Sequence, residues 1–269
     1  MAGKSAHSDG FAAAHLPPRE QWPLMRYDTV PELAAIPERI NCAAWLLDRH
    51  ADAQGERPAL HHAGGTWSYA ELRRRADRIA HVLVQDLGLE PGNRVLLRGF
   101  NEPMMVAAWF GVLKAGGIVV ATMPLLRARE LGFICSKAEI ALALCDQRLR
   151  EELEKSAGAS PLARTLYFNG APEDESLESR MAGKPGRFET LETAADDTCL
   201  IAFTSGTTGQ PKGCVHFHRD VLAIAETFGR YVLKPAADDV FAGSPPLAFT
   251  FGLGGLVVFP FAEIGRAHV

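Results

Sequence analysis

From Val95 to Phe203 the chain alternates short apolar runs with longer amphipathic ones, and no other feature narrows its folding choices as far. The spacing predicts strands at Val95–Leu97, Ile118–Thr122, Ile140–Cys145, Thr165–Phe168 and Cys199–Phe203. Helices are predicted over Pro103–Ala115, Arg127–Lys137 and Gln147–Ser156. Strands that are apolar along their length must be covered on both sides, and an amphipathic helix after each strand supplies the cover. The predicted class is therefore α/β, a doubly wound, mostly parallel sheet or sheets with helices on both faces. Residues 169–187, dense in charge, read as a surface excursion, after which a strand at Val215–Phe217 and a helix over Asp220–Val232 follow.

Upstream, a helix is expected through Trp45 and Leu46, a strand at Ala59–His62 and a turn at Gly64-Gly65. Ser68-Tyr69-Ala70-Glu71 has the form of a capping box, starting a helix whose apolar positions are Leu72, Ala76, Ile79, Leu83 and Leu87. Residues 1–39 carry prolines at 17, 18, 23, 31 and 37, so they are expected to form an extended leader, wrapped over the surface or partly mobile, without chemistry.

Composition excludes several classes. With 47% hydrophobic and 22% charged residues the chain is an ordinary globular one, and a net charge of −4 leaves no basic stripe for nucleic acid. The longest apolar tract, Val106–Leu126, is interrupted by Lys114, Gly116, Gly117 and Pro124, so membrane insertion is not expected. The five cysteines, 42, 135, 145, 199 and 214, contain no C-x-x-C pair, and four lie in apolar runs as small core residues would. A reducing, cytoplasmic location is the expectation, and the N-terminus lacks the apolar core of a secretory signal.

The chemistry concentrates at the end of the last predicted strand. Phe203–Gly213 reads F-T-S-G-T-T-G-Q-P-K-G: glycines at 206, 209 and 213, hydroxyls at Thr204, Ser205, Thr207 and Thr208, and Lys212. Glycines let backbone N–H groups approach an anion, hydroxyls donate to it and the lysine adds a positive charge. Pro211 stiffens the exit. The spacing is not that of a Walker loop, because four residues after Gly206 stands Pro211 and four after Gly209 stands Cys214.

This segment resembles the phosphate-binding signature of the adenylate-forming superfamily, which includes acyl-CoA synthetases. Thr66–Leu72 (T-W-S-Y-A-E-L) resembles its early motif, and Leu113–Pro124 its Leu-Lys-Ala-Gly segment ending in proline. Pro245–Gly255 (P-P-L-A-F-T-F-G-L-G-G) resembles the motif that closes over the acyl group. The A-F-T-F-G-L-G-G context is most similar to 2-aminobenzoate- and benzoate-CoA ligases. By resemblance, Thr204, Ser205, Gly206, Thr207, Thr208, Gly209 and Lys212 contact the phosphates of ATP, with Lys212 stabilising departing pyrophosphate. Phe249, Thr250, Phe251 and Gly252 belong to the acyl pocket, against which stands the reading of Phe249 and Phe251 as core aromatics.

The resemblance implies activation of a small aromatic carboxylate by ATP and Mg²⁺, then thioester formation with coenzyme A, in an enzyme that can form a homodimer. Another acid, a carrier-protein acceptor and an inactive nucleotide-binding fragment are the alternatives. His216 and His218 form an H-x-H pair without a third ligand at supporting spacing, so a packing or hydrogen-bonding role is expected and no metal site is assigned.

The resemblance also divides the chain: a leader over 1–39, a truncated N-terminal AMP-binding domain over 40–262 and a seven-residue tail, Glu263–Val269. A complete relative would continue through a Tyr-Gly-x-Thr-Glu motif, a ribose-binding aspartate and a small mobile domain with its catalytic lysine, so this chain is expected to be inactive alone. The tail departs from the family pattern, and one codon set that would encode it, GAG-ATC-GGA-AGA-GCA-CAC-GTC, contains a common sequencing-adapter read, so the tail is expected to be non-native, with a natural loop as the competing reading. Genomic sequencing across the codon for Ala262 should therefore return a different continuation; recovery of the same codons would make the tail native.

Overall fold

The computed structural model describes residues 4–170, 175–204 and 211–269. Its strands, in chain order, are β1 (Pro58–His62), β2 (Gly65–Ser68), β3 (Arg94–Arg98), β4 (Ile118–Thr122), β5 (Leu142–Asp146), β6 (Arg164–Phe168), β7 (Thr198–Thr204), β8 (Lys212–Phe217), β9 (Val240–Ala242) and β10 (Arg266–His268). Six form one sheet in the order β6-β5-β3-β4-β7-β8, parallel throughout except for the last pair. The other four form a smaller sheet, β2-β1-β10-β9, in which Arg266–His268 of the terminal segment pairs in parallel with both neighbours.

The doubly wound reading holds residue by residue. Along β3, Val95 and Leu97 join a core with the helices Tyr69–His81 and Pro103–Lys114, whereas Leu96 between them joins a second core with the helix Ala128–Lys137. Side chains of a strand alternate between faces, so one strand that is apolar at every position serves two cores. The Pro103–Lys114 helix is buried along its whole length, which explains why its sequence is apolar on all sides.

Three local expectations need correction. The 169–187 excursion contains a helix, Leu177–Ala182, that buries Leu177 and Met181 in the main core; two apolar anchors outweigh the charge around them. Ser68 does cap its helix, accepting from the Glu71 amide at 3.2 Å, but the Glu71 carboxylate pairs with Arg74 and Arg75. The leader forms short helices at Phe11–His15 and Pro31–Ala34 and is anchored: Asp9 pairs with buried Arg94, and the Ala6 amide donates to Asp197 at 2.9 Å.

Lys114, in the Leu-Lys-Ala-Gly segment, has a structural part. Its ammonium is 1% exposed and lies 2.6 Å from the fully buried Asp77 carboxylate, and it also binds Asp48. Thr190 donates to the other oxygen of Asp48 at 2.6 Å. Three helical segments are thus joined through one cation. Replacing Lys114 with Met should destabilise the fold by about 3–5 kcal/mol, because Asp77 is left charged in an apolar interior. Urea denaturation of the two proteins measures the difference.

Candidate functional site

Strand β7 runs parallel to β4, so Thr204 emerges at the edge where the parallel strands have their carboxyl ends, the edge at which doubly wound sheets bind ligands. The chain then returns antiparallel as β8, with Thr204 directly opposite Lys212. The glycine-rich segment is thus the connection of a hairpin. A Walker loop would instead open a helix. Ser205, Gly206, Thr207, Thr208 and Gly209 lie outside the described residues; Thr204 and Lys212, at the two ends, are both exposed.

Register decides which face the hairpin offers. The opposed pairs Leu200↔His216, Ala202↔Cys214 and Thr204↔Lys212 share one face, while Ile201, Phe203 and Val215 pack into the second core on the other. The first face borders a cavity of about 430 Å³, walled on the sheet side by Ala202, Thr204, Cys214 and His216 and on the opposite side by Phe249, Thr250 and Leu253. Most of this lining is hydrocarbon, with Thr204, Thr250, His216 and Asp220 as polar points. Such a space suits a flat apolar ligand with one polar end.

The predicted pocket residues divide. Phe249 and Thr250 line the cavity; Phe251 does not and is 72% exposed, and Phe249 is 50% exposed, so neither phenylalanine is a core aromatic. Gly252 is buried and makes a close backbone approach, since a Cβ there would lie 2.1 Å from the Pro246 carbonyl oxygen. The helix opening at Thr250 packs against the Pro245-Pro246 backbone only because position 252 has no side chain.

The H-x-H pair also divides. His216 is in β8 and faces the cavity, but His218 starts the next helix and is 1% exposed, its Nδ1 accepting the Cys42 amide at 3.1 Å. The two side chains part because Asp220 accepts from the Phe217 amide at 2.9 Å and the strand ends before His218. That helix begins at Asp220's N-terminal side, at His218, and continues as a wider π-helical turn from Ala225 to Leu233.

Two positioning groups carried no motif. Asn101, beyond the carboxyl end of β3, donates to the Pro245 carbonyl at 2.9 Å and accepts from the Leu247 amide at 2.7 Å. One amide side chain thereby fixes the segment leading to Phe249. Its place at a strand's carboxyl end, just before the helix-opening Pro103, was the available signal. On the other wall, Tyr27 of the leader donates to Asp220 at 3.3 Å; burial and the neighbouring carboxylate push its phenol up to about 12.

Comparison with known proteins fits this geometry. The AMP-binding enzyme profile matches residues 47–269, most of the chain. The chain belongs to the AMP-binding enzyme family. It is 30% identical over 237 residues to a benzoate–CoA ligase of Thauera aromatica, a match spanning 88% of this chain and 45% of that protein. A p-hydroxybenzoic acid–AMP ligase of Mycobacterium tuberculosis is also 30% identical, over 84% of this chain and 30% of its own. The chain thus spans less than half the length of these relatives. Among solved structures, the anthranilate CoA ligase AuaEII with anthranoyl-AMP has the same fold, with a TM-score of 0.83 at 24% identity over 88% of this chain and 46% of that one. ATP-bound MatB from Rhodopseudomonas palustris superposes with a TM-score of 0.75 at 29% identity, covering 85% and 44%. No helix among the described residues is long and apolar enough to cross a membrane.

Replacing Asn101 with Ala removes both bonds to the 245–247 backbone. Loss of about 1–3 kcal/mol is expected, read as a lowered thermal midpoint together with faster amide exchange at Leu247.

Proposed function

We propose that this chain is the N-terminal part of an enzyme that activates a small aromatic carboxylate with ATP and passes the acyl group to coenzyme A. One observation carries the reading: an apolar cavity opens directly beside Thr204, where the glycine-rich connection leaves the sheet. A carboxylate whose ring sits between Phe249 and β8 would present its oxygens toward that connection.

A carboxylate oxygen is a poor leaving group, and attack on the α-phosphorus of ATP converts it into a good one while pyrophosphate departs. Negative charge then grows on the leaving phosphates. Ser205, Gly206, Thr207, Thr208 and Gly209 would donate N–H and hydroxyl groups to it, and Lys212, on the same face as Thr204, would add a full charge. Among the described residues no group of three His, Cys, Asp or Glu side chains offers Mg²⁺ a set of oxygen ligands. The one cluster of three candidate ligands among the described residues is Cys42, Cys199 and His218, whose soft donors do not suit an ion that takes oxygen ligands. No step is therefore assigned to it in this chain.

The acyl acceptor is the open alternative, because the relatives include both CoA ligases and a protein named as an AMP ligase. Pyrophosphate exchange by the full-length enzyme, screened against benzoate, 2-aminobenzoate and aliphatic acids, tests the first half-reaction, and thioester formation with added coenzyme A tests the second. Aromatic acids should give the faster exchange. Lys212→Ala should slow exchange about a hundredfold with little change in the concentration of acid needed for half-maximal rate. An unchanged rate would remove Lys212 from the mechanism.

A further inference from the structure

Away from the cavity, three soft ligands from three distant stretches of chain meet in the interior. Cys42, Cys199 and His218 are buried, and one ligand atom from each, the two Sγ and a ring nitrogen, all lie within 4.8 Å of one another. Cys42 starts the helical segment after the leader, Cys199 lies near the start of β7, and His218 opens the helix after β8. We propose that these three side chains form a binding site for a divalent thiophilic cation of the zinc type.

The geometry supports it at each ligand. His218 Nδ1 is 3.2 Å from Cys42 Sγ, close to the roughly 3.5 Å that separates neighbouring ligands of a tetrahedral ion with bonds of about 2.0–2.3 Å. The same Nδ1 accepts the Cys42 amide. A ring nitrogen that accepts an N–H offers a lone pair, which a ligand imidazole requires, and Cys42 Sγ lies beside it. The ion would replace that amide as its partner. The Cys199 thiol donates to the His216 carbonyl oxygen at 3.5 Å, a bond given up when the thiol passes its proton to solvent and binds the ion.

Charge selects the ion. Binding releases one proton from each thiol, and two thiolates with a neutral imidazole cancel a divalent charge, so nothing uncompensated is left in a wholly buried place. A monovalent ion on the same ligands would leave a net negative charge. Two sulfurs also exclude hard cations such as Mg²⁺ and Ca²⁺. The site would pin the helical segment after the leader to β7 and to the helix that follows β8, stabilising the folded form by binding it preferentially.

Purified chain exposed to Zn²⁺ and then passed over a chelating resin should retain one ion and show a raised thermal midpoint. With Co²⁺ it should develop thiolate-to-metal charge-transfer absorption. Both signals should vanish in Cys42→Ser and Cys199→Ser and persist in Cys214→Ser, whose thiol is exposed. Where the serine variants do not fold, Cys42→Ala and Cys199→Ala avoid a buried hydroxyl, with circular dichroism as the folding check. Failure of the unsubstituted chain to retain zinc overturns the proposal. So does charge-transfer absorption that survives loss of Cys42 or Cys199, or a Cys42–Cys199 disulfide forming under mild oxidant in a chain that takes up no metal.

Discussion

The antiparallel pairing of β7 with β8 is the constraint on which the site depends. A strand repeats its side-chain direction every second residue, so the register Ala202↔Cys214 and Thr204↔Lys212 sends one set of residues to the cavity and the alternate set to the core. A slip of one residue would carry Thr204 and Lys212 away from the cavity face and bring Ile201 and Val215 toward it. The apolar packing of Ile201, Phe203 and Val215 in the second core opposes such a slip, and through it the core positions the polar face.

Around that hairpin the other elements act as fixed supports. Arg98, buried at the end of β3, donates to the carbonyls of Met123, Pro124 and Leu126 at 2.9–3.0 Å and shapes the turn after β4. Asn101 does the same for the segment that carries Phe249. In both, a side chain satisfies backbone groups of an irregular segment that could not find partners within its own element. Lys114 holds the helices behind the sheet by pairing with two carboxylates at once.

The leader belongs to the same construction. Its prolines suggested an extended surface leader without chemistry, and Trp22 stacks on Phe217 with ring centroids 5.7 Å apart, while Arg219 lies 4.7 Å from the centre of the Tyr27 ring. Both contacts touch residues next to His218 and Asp220, so the leader backs the helix that forms one wall of the cavity. Cys42, just beyond it, reaches the same helix through His218. The N-terminal segment is thereby coupled mechanically to the hairpin, although it contributes no side chain to the cavity lining.

The sequence by itself determined the layered α/β architecture, most strand positions, the glycine-rich connection and the family resemblance, because these are encoded in local periodicity and in residues adjacent along the chain. Only the tertiary structure decided which side chains share a space. Asn101 and Pro245 are far apart in sequence and meet through a loop, a relation no period records. His216 and His218 looked equivalent until a helix start between them sent one to the cavity and the other to the interior. Cys42 and Cys199 each read as a small core residue, and their juxtaposition with His218 depends on how a distant helix, a strand and a second helix pack. Local propensity sets the elements; burial of their apolar faces then chooses the neighbours, and that choice is a property of the whole chain.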